Sequence, residues 1–141
     1  MPQPLLNLRL SAHTALVTTD TACCALGVDS ETISAMVDAG DLIWVWDVSA
    51  RQRHIRELRL WSAELADRTL SARTFPEVLS AILPSRRDRF RSAEVAALLR
   101  ISDPHLLRLL RLKHLAGPII NHTQWITAPS LTTFLTTRRI R

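Results

Sequence analysis

The chain of 141 residues reads as mainly α with small β-hairpins, an α+β protein made of two tandem copies of one helix–turn–helix unit closed by a hairpin. Three observations predict this. Residues 18–42 align with residues 91–115 without a gap. Each stretch carries two short apolar stripes at helical spacing with capping residues between them. Each is followed by β-branched and aromatic residues around a polar turn.

The first helix of each copy starts at a cap, Thr19 in one and Ser92 in the other. Its apolar stripe is Ala22, Cys23 and Leu26, matched by Val95, Ala96 and Leu99. Cys23 and Ala96 share one position, and both are small, as a steep crossing of two helices requires. Cys23 therefore reads as a packing residue. Gly27 suits a left-handed turn between helices; Arg100, at the matching place, takes that turn with strain or uses another.

The second helix follows a polar cap, Asp29 or Ser30 in copy one and Ser102 or Asp103 in copy two. Pro104 sits in the first turn, where no donor is lost. Ile33, Met36 and Val37 form its inward stripe, with Leu106, Leu109 and Leu110 as counterparts. Gly40 ends the first of these helices, and Lys113-His114 ends the second. Leu42–Val48 and His54–Trp61 then flank the turn Ser49–Arg53 as a hairpin. A shorter hairpin spans Pro118–Ile126. Helices are expected from Ser62 to about Ala72 and from Pro129 to about Thr137. The apolar segment Phe75–Pro84 reads as a short helix bridging the copies. The resulting organisation is a first unit over 1–72 with an apolar N-terminal arm, a helical and basic linker over 73–89, and a second unit over 90–141.

Charge divides the chain. Residues 1–50 carry one base and six acids; residues 51–141 carry 17 bases and seven acids, and Lys113 is the only lysine. An arginine-rich balance favours a nucleic-acid partner, because guanidinium binds phosphate and guanine in bidentate fashion. The adjacent cysteines Cys23 and Cys24 cannot staple a secreted fold, so a reducing cytoplasm is expected. No apolar run approaches the length of a membrane span. The five histidines show no ligand spacing with the cysteines, and no phosphate loop, paired-carboxylate motif or nucleophile elbow occurs. Neither a metal nor a cofactor is expected, nor an enzyme. The four tryptophans lie on or beside the hairpins, with core packing as their expected role.

The stretch TTDTACCALGVDSETISAMVDAGDL, and more loosely RSAEVAALLRISDPHLLRLLRLKHL, resembles the excisionase and MerR-like winged helix–turn–helix family. In such domains a capped helix ends in leucine-glycine-valine and a second helix ends in glycine-acid-leucine ahead of the wing, as Leu26-Gly27-Val28 and Gly40-Asp41-Leu42 do in copy one. The trailing PSLTTFLTTRR resembles the helix that closes such domains. The resemblance covers about residues 18–72 and 90–139. It implies a second helix in the major groove and a wing on the backbone or minor groove of double-stranded DNA. Carried over, it assigns His105, Arg108, Arg111 and Lys113 to the reading face of copy two, and Arg51, Arg53, Arg56 and Arg59 to the wing of copy one. The second helix of copy one departs from the pattern, offering Glu31, Ser34, Ala35 and Asp38. Arg87, Arg89 and Arg91, between the copies, either hold phosphates or form a solvated linker.

The expected role is a sequence-specific DNA-binding protein, a transcription regulator or an excisionase-like recombination directionality factor of a mobile element. The alternative is an assembly module that binds protein through its acidic first copy, as a DNA-packaging recognition subunit or inhibitor would. A homo-oligomer, a dimer, is expected under either, because Leu5, Leu6, Leu8 and Leu10 form an apolar arm needing cover.

Overall fold

A computed structural model describes residues 15–50, 56–83 and 87–140. Among them the chain is an α+β protein with two small antiparallel sheets and helices on both flanks. The first sheet is formed by β1 (Leu16–Thr18), β2 (Val45–Asp47) and β3 (Leu58–Trp61), in the order β1-β3-β2. Between β1 and β2 lie α1 (Thr19–Leu26) and α2 (Ser30–Ala39). After β3 come α3 (Ser62–Ala66) and a 3-10 turn, Arg68–Ala72. The helix α4 (Phe75–Ile82) leads to the second unit. There β4 (Arg89–Arg91), α5 (Ser92–Leu99), α6 (Asp103–Arg111), β5 (Ile119–Ile120), β6 (Thr123–Thr127) and α7 (Ala128–Thr137) repeat the order, with the sheet β4-β6-β5.

Local chemistry sets these boundaries. The Thr18 hydroxyl accepts the Thr21 N–H at 3.2 Å, so the cap of α1 lies one residue before the expected Thr19. In copy two the cap likewise moves from Ser92 to Arg91, whose N–H donates to the Glu94 carboxylate at 2.9 Å. Asp29 and Ser102 cap the second helices by accepting the N–H of the third residue along. The left-handed positions also coincide in the two copies. Gly27 and Arg100 have φ of 69° and 59°; Gly40 and Lys113 have 82° and 67°. Arg100 thus takes the left-handed turn itself, without a glycine. The expected long helix after β3 is divided at Asp67, whose carboxylate accepts the Thr69 N–H and caps the 3-10 turn.

Two strands lack any sequence signal. Both β1 and β4 are three residues long, and β4 straddles the expected boundary between the basic linker and the second unit. Each is defined by pairing with a strand far along the chain: Val17 faces Leu60, and Phe90 faces Ile126. The second hairpin turns at Asn121 and His122, both at positive φ, the conformation of a two-residue turn matched to strand twist.

Alternation along β1 and β3 gives the first sheet two buried faces. Val17, Leu58 and Leu60 face inward with Ala22, Ile33 and Val37. Leu16, Trp46 and Trp61 face outward into a second core shared with Val78 and Ile82 of α4 and with Phe90, Leu99, Leu106 and Phe134 of the second unit. Cys23, Leu26 and Met36 are half-buried at the margin of the first core. The segment 75–82 is thus a helix whose Val78 and Ile82 pack in the joint core, and Trp44, Trp46 and Trp61 are core residues.

The contact between units is also polar. The Trp46 indole N–H donates to the Leu135 carbonyl at 2.8 Å. Residues 138–140 pair with the free edge of β2, through Asp47 N–H to Arg138 O and Ile140 N–H to Val45 O. Arg138, 4% exposed, donates to the carbonyls of Asp47 and Ser49.

Candidate nucleic-acid interface

The second helix of each unit presents one exposed side, and the two sides differ in charge. On α6, Leu106 and Leu109 point into the core, which leaves Leu107, Arg108, Arg111 and Leu112 outside. Lys113, in the left-handed turn after the helix, is exposed beside them. Neither Arg108 nor Arg111 forms an ion pair among the described residues. On α2 the matching places are Ser34, Ala35, Asp38 and Ala39, with Glu31 one turn earlier. Asp38 therefore stands where Arg111 stands in the second unit, and it pairs with Arg56 at 3.3 Å.

Arg56 is exposed, and its guanidinium leans on this carboxylate. Arg51 and Arg53 lie outside the described residues. Arg59 is elsewhere than the resemblance implies. It is 8% exposed, and its guanidinium donates to the carbonyls of Leu99, Arg100 and Leu58, each at 2.8 Å. It faces outward from β3, and the outward face of that sheet is the joint between units. There its charge closes the C-terminus of α5, where unsatisfied carbonyls gather negative potential. Burial pulls its pKa below the usual arginine value, against the opposing pull of Glu57.

His105 is also drawn into the joint. Its Nε2 lies 2.8 Å from the Val48 carbonyl and its Nδ1 lies 3.8 Å from the Glu57 carboxylate. Arg59 and His105 thus drop out of the exposed cationic set, because both meet the neighbouring unit before they meet solvent. The resemblance implies His105 on the exposed side of its helix; the docking of the units removes it.

A second cationic group lies on β4. Phe90 points into the core, so Arg89 and Arg91 point to the opposite side of the sheet and are exposed. Both guanidinium groups lie over Trp125 of β6, at 4.2 and 5.6 Å from the ring centroid. Arg87 covers the Phe90 ring at 4.7 Å and pairs with Glu94 at 2.8 Å. The Glu94 carboxyl sits below its usual range: partial burial would raise it, but the Arg91 N–H and the Arg87 guanidinium outweigh that.

Among the described residues no group of His, Cys, Asp and Glu is placed to hold a metal ion, and no helix is long and apolar enough to cross a membrane. No family model, curated protein or solved structure matches the chain.

Proposed function

We propose that the chain is a double-stranded DNA-binding protein of the tandem winged helix–turn–helix type, a transcription regulator or recombination directionality factor rather than an enzyme. The observation that carries this reading is the exposed side of α6, where Arg108 and Arg111 stand one turn apart without an acidic partner among the described residues. A helix that enters the major groove reads guanine through such arginines, while Lys113 adds a phosphate contact. The first unit supplies support. Its α2 shows Glu31 and Asp38, which repel phosphates, and its Arg59 and Trp46 hold the second unit in place.

The test is fluorescence anisotropy of labelled duplexes across a salt series, after selection of a preferred site from a random pool. Wild-type affinity is expected to fall steeply with salt as counterions are released. Arg108→Ala should weaken the selected site by about 1–3 kcal/mol and flatten its base preference. Glu31→Ala with Asp38→Ala should leave base preference unchanged. Absence of duplex binding at low salt by the folded protein overturns the proposal.

A second reading has its own observation. Leu107, Leu112, Ile119 and Ile120, the large apolar side chains most exposed among the described residues, lie on α6, at its C-cap and on β5. Such a group suits a protein partner, either a second copy or a component of an assembly. Under this reading, Leu107→Ser with Leu112→Ser shifts the oligomeric state in sedimentation.

A further inference from the structure

We propose that the outward face of the second sheet is a second phosphate-backbone surface, so that one chain holds two duplex segments, one on α6 and one on β4-β6. The proposal builds on the DNA-binding reading and adds a surface on the opposite side of the unit.

The two sheets have the same strand order, and their outward positions correspond through pairing. In the first sheet Leu16 lies opposite Trp61 and Thr18 opposite Arg59; in the second, Arg89 lies opposite Thr127 and Arg91 opposite Trp125. The first outward face is sealed by the second unit. Among the described residues the second face stays open, with Arg89 and Arg91 exposed and Trp125 half-buried. Where a buried leucine would stand there is Arg89, and two residues on there is Arg91.

Several features fit this face to a phosphodiester backbone. Residues two apart on one strand are roughly 6.8 Å apart, close to the separation of neighbouring phosphates along a nucleic-acid strand. Contact with the Trp125 ring limits the freedom of both guanidinium groups, Arg89 more than Arg91, which lowers the side-chain entropy lost on binding. Neither arginine forms an ion pair among the described residues, whereas Arg87 is already paired with Glu94. The hydroxyls of Thr123 and Thr127 lie on the same face of β6 as Trp125 and supply neutral donors. The face presents arginine and hydroxyl but no array fitted to base edges, so its binding is blind to sequence. Phe90 and Ile126 point the other way, into the core with Leu99 of α5 and Leu106 and Leu109 of α6.

The test uses the full chain and 15-base-pair duplexes of the selected site, with stoichiometry from analytical ultracentrifugation at excess duplex and affinity from anisotropy across a salt series. Four proteins are compared: wild type, Arg89→Ala/Arg91→Ala, Arg108→Ala/Arg111→Ala, and the fourfold variant. All substituted side chains are exposed, and circular dichroism checks the fold. Wild type should take two duplexes per chain, each double variant one, and the fourfold variant none. At the second site, loss of Arg89 and Arg91 removes about two phosphate contacts and a salt slope of about 2. One duplex per wild-type chain, with Arg89→Ala/Arg91→Ala binding as wild type, overturns the proposal and leaves the α6 reading intact. Unchanged binding by Arg108→Ala/Arg111→Ala, with loss in the β4 variant, overturns the α6 reading and leaves the sheet surface. A wild type that binds no duplex overturns both.

Discussion

The outward faces of the two sheets share one frame and have opposite fates. In the first, Leu16, Trp46 and Trp61 are sealed under the second unit, and Arg59 is held at its edge by three carbonyls. In the second, Arg89 and Arg91 stay in solvent on a half-buried Trp125. The same residue type is structural on one face and available on the other. What separates them is the neighbour: a guanidinium beside a helix C-terminus completes that helix, and one over an indole at the surface keeps its donors free.

The largest effect expected from breaking this contrast is at Trp46. It is fully buried in the joint, and its indole N–H is satisfied by Leu135. Trp46→Ala should cost about 3–5 kcal/mol and lower the midpoint of urea unfolding. Since one core joins the units, wild type should unfold in a single transition by both tryptophan fluorescence and circular dichroism. Two separate wild-type transitions would show that the joint does not couple them.

Arg59 comes next. Arg59→Met keeps much of the aliphatic bulk but strands the carbonyls of Leu99 and Arg100, at a cost of about 1.5–3 kcal/mol. The salt dependence of duplex binding should be unchanged, in contrast to Arg89→Ala. An unaltered melting temperature together with a reduced salt slope would return Arg59 to the DNA surface.

The matched left-handed turns offer a smaller, paired effect. A Cβ on Gly27 meets nothing within 4 Å, so Gly27→Ala isolates the backbone strain, about 1–2 kcal/mol. Arg100→Gly should act in the opposite direction and by less, because glycine loses more backbone freedom on folding. Equal destabilisation by both substitutions would mean that the Arg100 side chain outweighs its turn.

The smallest effect is in acid. Hydrogen bonds from Thr32 hold the Asp29 carboxyl below its usual value, and those from Thr69 do the same for Asp67; both lie in the first unit. Because the folded values are the lower ones, this stabilisation is complete above the ordinary carboxylate pKa. It is lost as pH falls through the folded values. Asp29→Ala should flatten the acid limb of a stability-against-pH curve, measured by thermal melts. A curve parallel to wild type would mean that this cap contributes no pH dependence.

Much of this frame is legible in the residues. Stripes at helical spacing, the caps Asp29 and Ser102, and Gly40 announce the helix pairs because those signals act within one or two turns of chain. The exposed places of Arg108 and Arg111 follow from the same periodicity. The strands β1 and β4 are silent, since three residues carry too little alternation and their partners lie more than 30 residues away. The cap of α5 falls on Arg91 rather than Ser92 because no hydroxyl marks it: the Arg91 N–H donates to the Glu94 carboxylate three residues on.

The sequence by itself determined the repeat, the helices and the reversal of charge between Asp38 and Arg111, because each depends on local spacing. The tertiary structure alone decided which arginines face solvent. Arg59 and Arg91 both lie on outward faces of strands, and nothing in their neighbours along the chain distinguishes them. One meets the end of α5 and the other meets water, because burial is set by surfaces that come together only when the second unit closes over the first sheet.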